Sequence, residues 1–168
     1  MLLNKLIKDF STQKKKIKIL GIAVNSKNVK PGYIFFAIKG NKINGEKFIN
    51  DAITRGAHAV VCSKKCKYRN KKIPIIKTSK IRQKLSRVAS IFYSFKPKNI
   101  IAVTGTNGKT SVADFYYQIL KLNSKKVASI GTLGLKYKSK TKNLKNTTSD
   151  PIQMGSMLKD LRRKKIEF

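Results

Sequence analysis

Several residue types are scarce in this chain, and each scarcity argues against a class of site. The 168 residues include no tryptophan, one histidine and two cysteines. Cys62 and Cys66 have a Cys-x-x-x-Cys spacing and no second pair of ligands, so we do not expect a zinc site. We expect Cys62 to be a buried small side chain at the end of an apolar strand, and His58 to be packed rather than catalytic. So few cysteines fit a reducing compartment.

Long apolar runs are also missing. No stretch approaches the roughly 18 apolar residues that are needed to span a membrane. Residues 1–10 are amphipathic but lack the apolar core and the small-residue cleavage site of a signal peptide, so we predict an N-terminal helix of the mature protein. We therefore expect a cytoplasmic protein that does not associate with membranes.

Acidic residues are few, since seven Asp and Glu stand against 39 Lys and Arg and the formal net charge is +32. Such an excess is typical of nucleic-acid-binding proteins. However, only six of the basic residues are arginine, the side chain that forks onto phosphates and bases, and the lysines are spread along the whole chain. We favour a solvated, compositionally biased surface, and we keep a basic nucleic-acid-binding protein as an alternative.

The most informative segment is Gly-Thr-Asn-Gly-Lys-Thr at residues 105–110. It follows an apolar run at 99–104, for which we predict a strand, and it precedes a segment with helical spacing of apolar residues. That spacing is set by Val112, Phe115, Tyr116, Ile119 and Leu120. Strand, glycine-rich turn, Lys-Thr and helix form the layout of a phosphate-binding loop.

Each part of such a loop has a physical role. Glycines let backbone N–H groups surround phosphate oxygens, and the start of the helix adds its positive dipole end. Lys109 would reach the terminal phosphates, and the Thr110 hydroxyl would ligate Mg²⁺. The common spacing would place the first glycine at Val103, so this loop is a shorter variant. A Gly-Lys-Thr turn without a phosphate role is the alternative.

The remaining pattern predicts an α/β protein with two domains, 1–96 and 97–168, divided near Lys96-Pro97-Lys98. Predicted strands lie at 19–24, 33–38, 57–62, 73–76 and 125–130, the fourth of them an edge strand because of Pro74. Helices are predicted at 46–55, from Ser79, and from the Asp150-Pro151 pair. Residues 135–145 read as a basic hairpin. Residues 165–168 look like a strand that is just beginning, so we expect the second domain to be cut off partway.

Segments in the same order resemble the Mur ligases, the ATP-dependent amide-bond-forming enzymes of peptidoglycan synthesis. The resemblance is carried by Val24-Asn-Ser-Lys, by Val-Lys-Pro-Gly-Tyr-Ile-Phe-Phe-Ala-Ile-Lys-Gly at 29–40, by Asn-Gly-Glu-Lys-Phe-Ile at 44–49, by Gly-Ala-His-Ala-Val-Val at 56–61, and by the short phosphate loop. Ile-Gly-Thr-Leu-Gly at 130–134 and Asn-Thr-Thr-Ser-Asp-Pro at 146–151 narrow it to the members that add the third amino acid of the peptide.

The resemblance implies a fold and an activity. The fold would be a small N-terminal UDP-binding domain followed by an incomplete P-loop-type, Rossmann-like parallel-sheet domain that binds ATP. The reaction would add meso-diaminopimelate or L-lysine to UDP-N-acetylmuramoyl-L-alanyl-D-glutamate through an acyl phosphate, with consequences for cell wall, shape and division. The implied cofactors are ATP and Mg²⁺, and the implied partners are the UDP-muramoyl-dipeptide and an amino acid. We expect a monomer.

The resemblance also assigns residues. Val24 and Ser26 would contact the uracil end of the substrate, although Asn25 stands where the family usually has Asp. The other implied groups are Gly105, Thr106, Asn107, Gly108, Lys109, Thr110 and Ser111 for ATP, with Lys109 catalytic and Thr110 on the metal; Asn41, Lys42 and Ile43 for the uridine diphosphate; and Asn146, Thr147 and Thr148 for the muramoyl-dipeptide. Simpler interpretations stay open, namely a capped turn at Ser26, a plain turn at 41–43 and a helix cap at 146–148.

The family also uses a later Glu, a carbamylated Lys and a C-terminal domain that these residues do not include, so we expect this chain alone to be inactive as a ligase. Two other ligases remain as alternatives: the Mur ligase that adds D-alanyl-D-alanine, and a folate polyglutamate ligase. The segment at 146–151 argues against both of them.

Overall fold

The computed structural model describes residues 1–7, 16–40, 43–144 and 150–168. The chain divides into two compact units, Met1–Phe92 and Tyr93–Phe168. Within the described residues, no helix is both long enough and apolar enough to cross a lipid bilayer.

The first unit is built on a parallel sheet of four strands in the order β1-β2-β3-β4. The two central strands are almost continuously apolar, which is typical of a parallel sheet covered on both faces. The edge strand predicted at 73–76 is confirmed as an edge strand, although it begins two residues later and therefore excludes Pro74. The strands are β1 Gly21–Ala23, β2 Tyr33–Phe36, β3 Ala57–Ser63 and β4 Ile75–Thr78.

In the described part of this unit, three α-helices precede or follow the strands: α1 Leu3–Leu6, α2 Ile49–Thr54 and α3 Ile81–Phe92. The helix predicted at 46–55 is divided, because a 3₁₀ turn at Gly45–Phe48 precedes α2. A Cβ on Gly45 would lie 2.5 Å from the Ile38 carbonyl oxygen, so only glycine fits this close approach. Gly56, at φ +93°, ends the helical segment as expected.

The two cysteines are buried in the core of the first unit. Cys62 is 0% exposed, so the expectation of a buried small side chain is confirmed. Burial, and then the neighbouring Cys66 thiol, raise the pKa of Cys62 to about 12. The expectation for His58 is wrong, since its side chain is exposed and its Nδ1 lies 3.2 Å from the Lys18 carbonyl oxygen. Ala57 pairs with Tyr33 and Ala59 pairs with Ile34, so position 58 is the extra residue of a β-bulge and its side chain is not covered. No cluster of metal-ligating side chains occurs among the described residues.

The second unit contains helix α4 Lys109–Leu122, an antiparallel sheet of β5 Ala128–Gly131, β6 Gly134–Tyr137 and β7 Lys140–Lys142, and helix α5 Pro151–Arg163. The basic hairpin predicted at 135–145 is present as the β6–β7 pair. The predicted start of α5 is confirmed, since the Asp150 carboxylate accepts hydrogen bonds from the backbone N–H of Ile152 at 2.8 Å and of Gln153 at 2.9 Å.

The strand predicted at 99–104 is not formed. The segment is apolar, but Ile100 and Ile101 are each 51% exposed, and in the described part of the chain no strand pairs with it. One backbone hydrogen bond, from Asn99 N–H to Glu167 O at 2.9 Å, connects it to the last residues. Residues 165–168 are likewise not a strand, although Glu167 N–H donates to Lys126 O at 2.8 Å. An apolar run becomes a strand only where a neighbouring backbone pairs with it.

Candidate functional site

The phosphate loop forms the approach to α4. Gly108, at φ +75°, is the N-cap residue, and the helix begins at Lys109. Gly105 has a φ of +150°, so both glycines occupy backbone conformations that other residues rarely adopt. A Cβ on Gly108 would meet no described atom within 4 Å, which leaves open space on the side where a ligand could approach the backbone.

The Lys109 side chain folds back over this loop. Its ammonium donates hydrogen bonds to the carbonyl oxygens of Gly105 and Thr106, the second at 2.9 Å. The residues from 104 to 112 are all exposed. The first N–H groups of a helix have no partner within it and form its positive dipole end, so the start of α4 can accept an anion. The residues present therefore fit a bound phosphate group.

Lys109 and Thr110 line a cavity of about 550 Å³ in the second unit. Most of its wall is apolar, formed by the segment at 100–103, by α4 and by β5. The polar exceptions near the loop include Asp114, which follows Thr110 by one helical turn and therefore lies on the same face of α4.

Asp114 is held by two contacts that sequence reasoning missed. Its carboxylate accepts hydrogen bonds from Lys136 Nζ at 2.7 Å and from Gln118 Nε2 at 2.6 Å. The Lys136 hydrogen bond, followed by that of Gln118, lowers the pKa of Asp114 below its usual value. The charge is thus neutralised inside the second unit. The i, i+4 spacing from Thr110 could have identified Asp114, but Lys136 lies 22 residues away and has no local signal.

The residues predicted to contact uridine follow the carboxyl ends of adjacent parallel strands. Val24 and Ser26 come directly after β1, and Ile43 belongs to the connection after β2. Ligands of open α/β sheets bind at this edge of the strands. Val24 is 36% exposed, whereas Ser26 is only 4% exposed and is a buried polar side chain of the described core.

Ser26 begins a 3₁₀ turn, Ser26–Asn28, whose cap is Asn25. The Asn25 side-chain oxygen accepts a hydrogen bond from the Lys27 N–H at 3.0 Å, so asparagine caps the turn here where the family usually has Asp. The neighbouring Ser26 side chain, followed by Arg55, holds the pKa of the Asp51 carboxyl, on α2, below its usual value. Asp51 accepts a hydrogen bond from Arg55 Nε at 2.8 Å. Sequence reasoning missed Asp51, because nothing local connects it to Ser26.

Backbone contacts join the described residues on either side of positions 41 and 42, the first two residues of the predicted uridine-diphosphate tripeptide. Gly40 N–H donates to Ile43 O at 2.9 Å, and Lys39 and Asn44 form a β-bridge. Ile43 is exposed. Asn41 and Lys42 lie outside the described residues, and so do the predicted dipeptide-binding residues Asn146, Thr147 and Thr148.

Two family models match the chain. The model described as Mur ligase family, catalytic domain, matches residues 18–107, and the model described as Mur ligase middle domain matches residues 103–168. The two matches together include the predicted uridine-contacting segments and the whole phosphate loop.

Two curated relatives carry the same name. A UDP-N-acetylmuramoyl-L-alanyl-D-glutamate–2,6-diaminopimelate ligase from Rickettsia montanensis is 45% identical over 118 residues, which are 70% of this chain and 24% of that protein. The ligase of the same name from Bradyrhizobium diazoefficiens is 38% identical over 150 residues, or 88% of this chain and 30% of that protein. The matched part of the chain therefore spans less than a third of the length of these relatives.

Solved structures share the fold. One UDP-N-acetylmuramoyl-L-alanyl-D-glutamate–2,6-diaminopimelate ligase superposes with a TM-score of 0.83 at 24% identity, covering 100% of this chain and 34% of that one. A MurF ligase from Thermotoga maritima in complex with ADP gives a TM-score of 0.54 at 23% identity, covering 83% of this chain and 29% of that one.

Proposed function

The chain belongs to the Mur ligase family, and on that premise we propose that it serves in an ATP-dependent ligase of peptidoglycan synthesis. The observation that carries the proposal is the glycine-rich turn at the start of α4, with Lys109 folded over the loop and Thr110 in the first helical turn. This arrangement supports phosphate binding. The motifs that resemble Mur ligases occur in the family's order along the chain, and this order supports a ligase rather than another phosphate-binding protein.

The substrate proposal follows the names of the relatives. We infer that the acceptor is UDP-N-acetylmuramoyl-L-alanyl-D-glutamate and that the added amino acid is 2,6-diaminopimelate, because relatives with 37% to 45% identity are named for that reaction. The ligase would act in the cytoplasm as a monomer.

Each residue of the phosphate loop has a proposed role. The backbone of Gly105, Thr106, Asn107, Gly108 and Ser111 would surround the phosphates of ATP. The Lys109 ammonium would exchange its carbonyl partners for phosphate oxygens and offset the negative charge that develops during transfer. The Thr110 hydroxyl would hold Mg²⁺, which neutralises phosphate charge when it is bound.

The first unit would recognise the nucleotide end of the acceptor. Val24, Ser26, Asn41, Lys42 and Ile43 would contact the uridine diphosphate. In the second unit, Asn146, Thr147 and Thr148 would hold the muramoyl-dipeptide. These roles rest on the sequence motif, supported for Val24, Ser26 and Ile43 by their position after the carboxyl ends of β1 and β2.

The proposed chemistry proceeds in two displacements. The D-glutamate carboxylate of the acceptor takes the γ-phosphoryl group of ATP and releases ADP. The amine of the incoming amino acid then attacks the activated carbonyl, forms the amide bond and expels phosphate. Such transfers depend mainly on positioning and on charge neutralisation, which a loop of backbone N–H groups and one lysine can supply.

Nucleotide binding by the phosphate loop tests this function first. Titration of the full chain with Mg-ATP should give saturable binding that the Lys109→Ala variant weakens by roughly tenfold or more, since a charge-assisted contact is lost. Lys121→Ala, in the last turn of the same helix, is the matched control and should bind as the unaltered chain does. Equal binding by the two variants would refute a phosphate role for the loop.

The net charge of +32 favours one second candidate, a nucleic-acid-binding protein. Non-specific electrostatic binding should fall steeply by roughly 0.2 M salt. If the chain still retains DNA or RNA at that salt concentration, this candidate is supported. If the chain releases the nucleic acid, only the ligase proposal remains.

A further inference from the structure

We propose that the basic connection between β3 and β4 is a docking surface for an extended acidic segment of another protein, one with Asp or Glu at every second position. The binding groups are the side chains of Lys65, Lys67 and Arg69, which we call the cation row. The inference does not depend on the proposed function, because the cation row belongs neither to the phosphate loop nor to the predicted uridine-contacting residues.

The connection concentrates positive charge without compensation. Residues 63–72 include six lysines and arginines and no acidic residue. Glu46, beside the start of the connection, already accepts a hydrogen bond from the Ser63 N–H at 3.1 Å. Among the described residues, no ion pair joins the cation row to a carboxylate. These three charges are therefore available to a partner.

The side chains that alternate with the cation row are anchored. Cys66 is 6% exposed in the core of the first unit, and Tyr68 packs against the same core. The Tyr68 hydroxyl donates a hydrogen bond to Asn50 Oδ1 at 2.6 Å, and Asn70 Oδ1 accepts one from the Lys72 N–H at 2.7 Å. The cation row, by contrast, is exposed at each of its three positions. It is thus presented to solvent on a backbone that these contacts hold in place.

The spacing of the cation row matches an extended polypeptide. Residues 66–70 form neither a helix nor a turn nor a bend. Alternate residues of an extended chain lie on one side, roughly 6.5 Å apart. Acidic residues at every second position of a partner segment repeat at the same distance, so three carboxylates can meet the three cations in register.

The backbone of the connection is also open to a partner. Within the part of the chain that the structure describes, residues 67–70 form no backbone hydrogen bond. Their N–H and C=O groups can pair with an added strand, as happens at exposed sheet edges. Backbone pairing would supply affinity, and the cation row would select acidic side chains.

Two other polyanions fit these observations less well. Single-stranded nucleic acid is bound by aromatic side chains on which bases stack, but Tyr68, the one aromatic residue of the connection, packs against the core. A membrane surface is bound by exposed apolar side chains together with cations. Residues 63–72, all of which the structure describes, include no exposed apolar side chain.

The experiment measures dissociation constants of the full chain for two labelled peptides by fluorescence anisotropy, near neutral pH and at low salt. One peptide alternates Glu and Thr, and the other has the same composition with all Glu in one block. We expect tighter binding of the alternating peptide. The triple variant Lys65→Gln, Lys67→Gln, Arg69→Gln should bind it roughly tenfold more weakly, since each of three exposed ion pairs contributes modestly.

The matched control removes the same charge from three exposed lysines of the second unit, in the variant Lys121→Gln, Lys125→Gln, Lys126→Gln. Its affinity for the alternating peptide should stay within roughly twofold of the unaltered chain. Thermal unfolding of each variant separates loss of binding from loss of fold. If the first triple variant unfolds early, Lys67→Glu alone should still weaken binding more than Lys121→Glu does.

Three results would overturn the inference. Equal weakening by the two triple variants, or equal affinity for the two peptides, would mean general charge attraction without a docking surface. Tighter binding of oligouridylate than of the alternating peptide, lost in the cation-row variant, would assign the row to nucleic acid. The same pattern with anionic lipid vesicles would assign it to a membrane. Mg-ATP binding should be unchanged in the cation-row variant, so the proposed function is tested separately.

Discussion

The two units bury their apolar residues to very different degrees. In the first unit, the apolar run of β2 lies between two parallel neighbours, and Phe35 is 1% exposed. In the second unit, the apolar run at 99–104 has no strand partner among the described residues, and Phe115 on α4 is 63% exposed. Similar apolar patterns are therefore buried in the first unit and exposed in the second. The difference lies in whether backbone partners are present, because only a paired sheet provides a face on which helices can pack.

The largest expected effect is on the free energy of unfolding, and it should separate one buried phenylalanine from one exposed phenylalanine. Phe35→Ala should lower the free energy of unfolding of the first unit by roughly 3–5 kcal/mol, because it leaves a cavity in a filled core. Phe115→Ala should change stability by about 0.5 kcal/mol or less, as is usual at the surface. Urea titration of the full chain measures both. A loss at Phe115 as large as that at Phe35 would mean that α4 is covered in solution, and the contrast between the units would fail.

The next effect tests close backbone packing. Gly45→Ala should destabilise the first unit by roughly 1–3 kcal/mol, because the new methyl group would lie 2.5 Å from the Ile38 carbonyl oxygen. Gly131→Ala is the matched change in the second unit, where a Cβ meets no described atom within 4 Å, and it should be near neutral. Comparing the unfolding midpoints of the two variants decides the point. Equal loss would show that the second unit is packed as tightly as the first.

A smaller effect concerns helix capping in the second unit. Asp150→Ala removes the acceptor of two backbone N–H groups at the start of α5 and should cost about 1 kcal/mol. Asp160→Ala, on the exposed part of the same helix, should have little effect because exposed ion pairs contribute little. Loss of helical signal on heating, followed by circular dichroism, reports the difference. If the two variants lose their helical signal at the same temperature, the Asp150 cap does not stabilise α5.

The smallest effect is a pH dependence. The pKa of Asp114 is lowered in the folded chain, chiefly by Lys136, so this pair stabilises the fold above the ordinary aspartate pKa of 3.8 and loses that contribution as the pH falls below it. Asp114→Asn should therefore be less stable than the unaltered chain near neutral pH, with a gap that closes in acid. An Asp51→Asn variant offers the same comparison in the first unit, where Ser26 and then Arg55 lower the pKa of Asp51. A gap that is constant with pH would mean that the charge of Asp114 does not contribute.

Much of the candidate site could be predicted from short stretches of sequence. The resemblance to Mur ligases is confirmed by the family matches, and the α/β class by the parallel sheet and by the related structures. The helix after the phosphate loop begins at Lys109, and the Asp150-Pro151 pair starts α5. These features depend on residues a few positions apart, such as a glycine that permits a positive φ or a side chain that caps the next turn. The roles of the loop and uridine residues stay predictions.

Other features depend on residues far apart in the chain, and the sequence does not indicate which of them meet. Local pattern was misleading for the strand at 99–104 and for His58, since burial depends on what neighbouring elements cover. Only the folded structure placed Ser26 beside Asp51 and Asp114 beside Lys136. The sequence by itself determined the phosphate loop, the order of most of the elements and the helix caps, because these depend on backbone conformation and on neighbours within a turn. The tertiary structure decided which apolar runs are buried and which charges are paired, because both depend on contacts between separate elements.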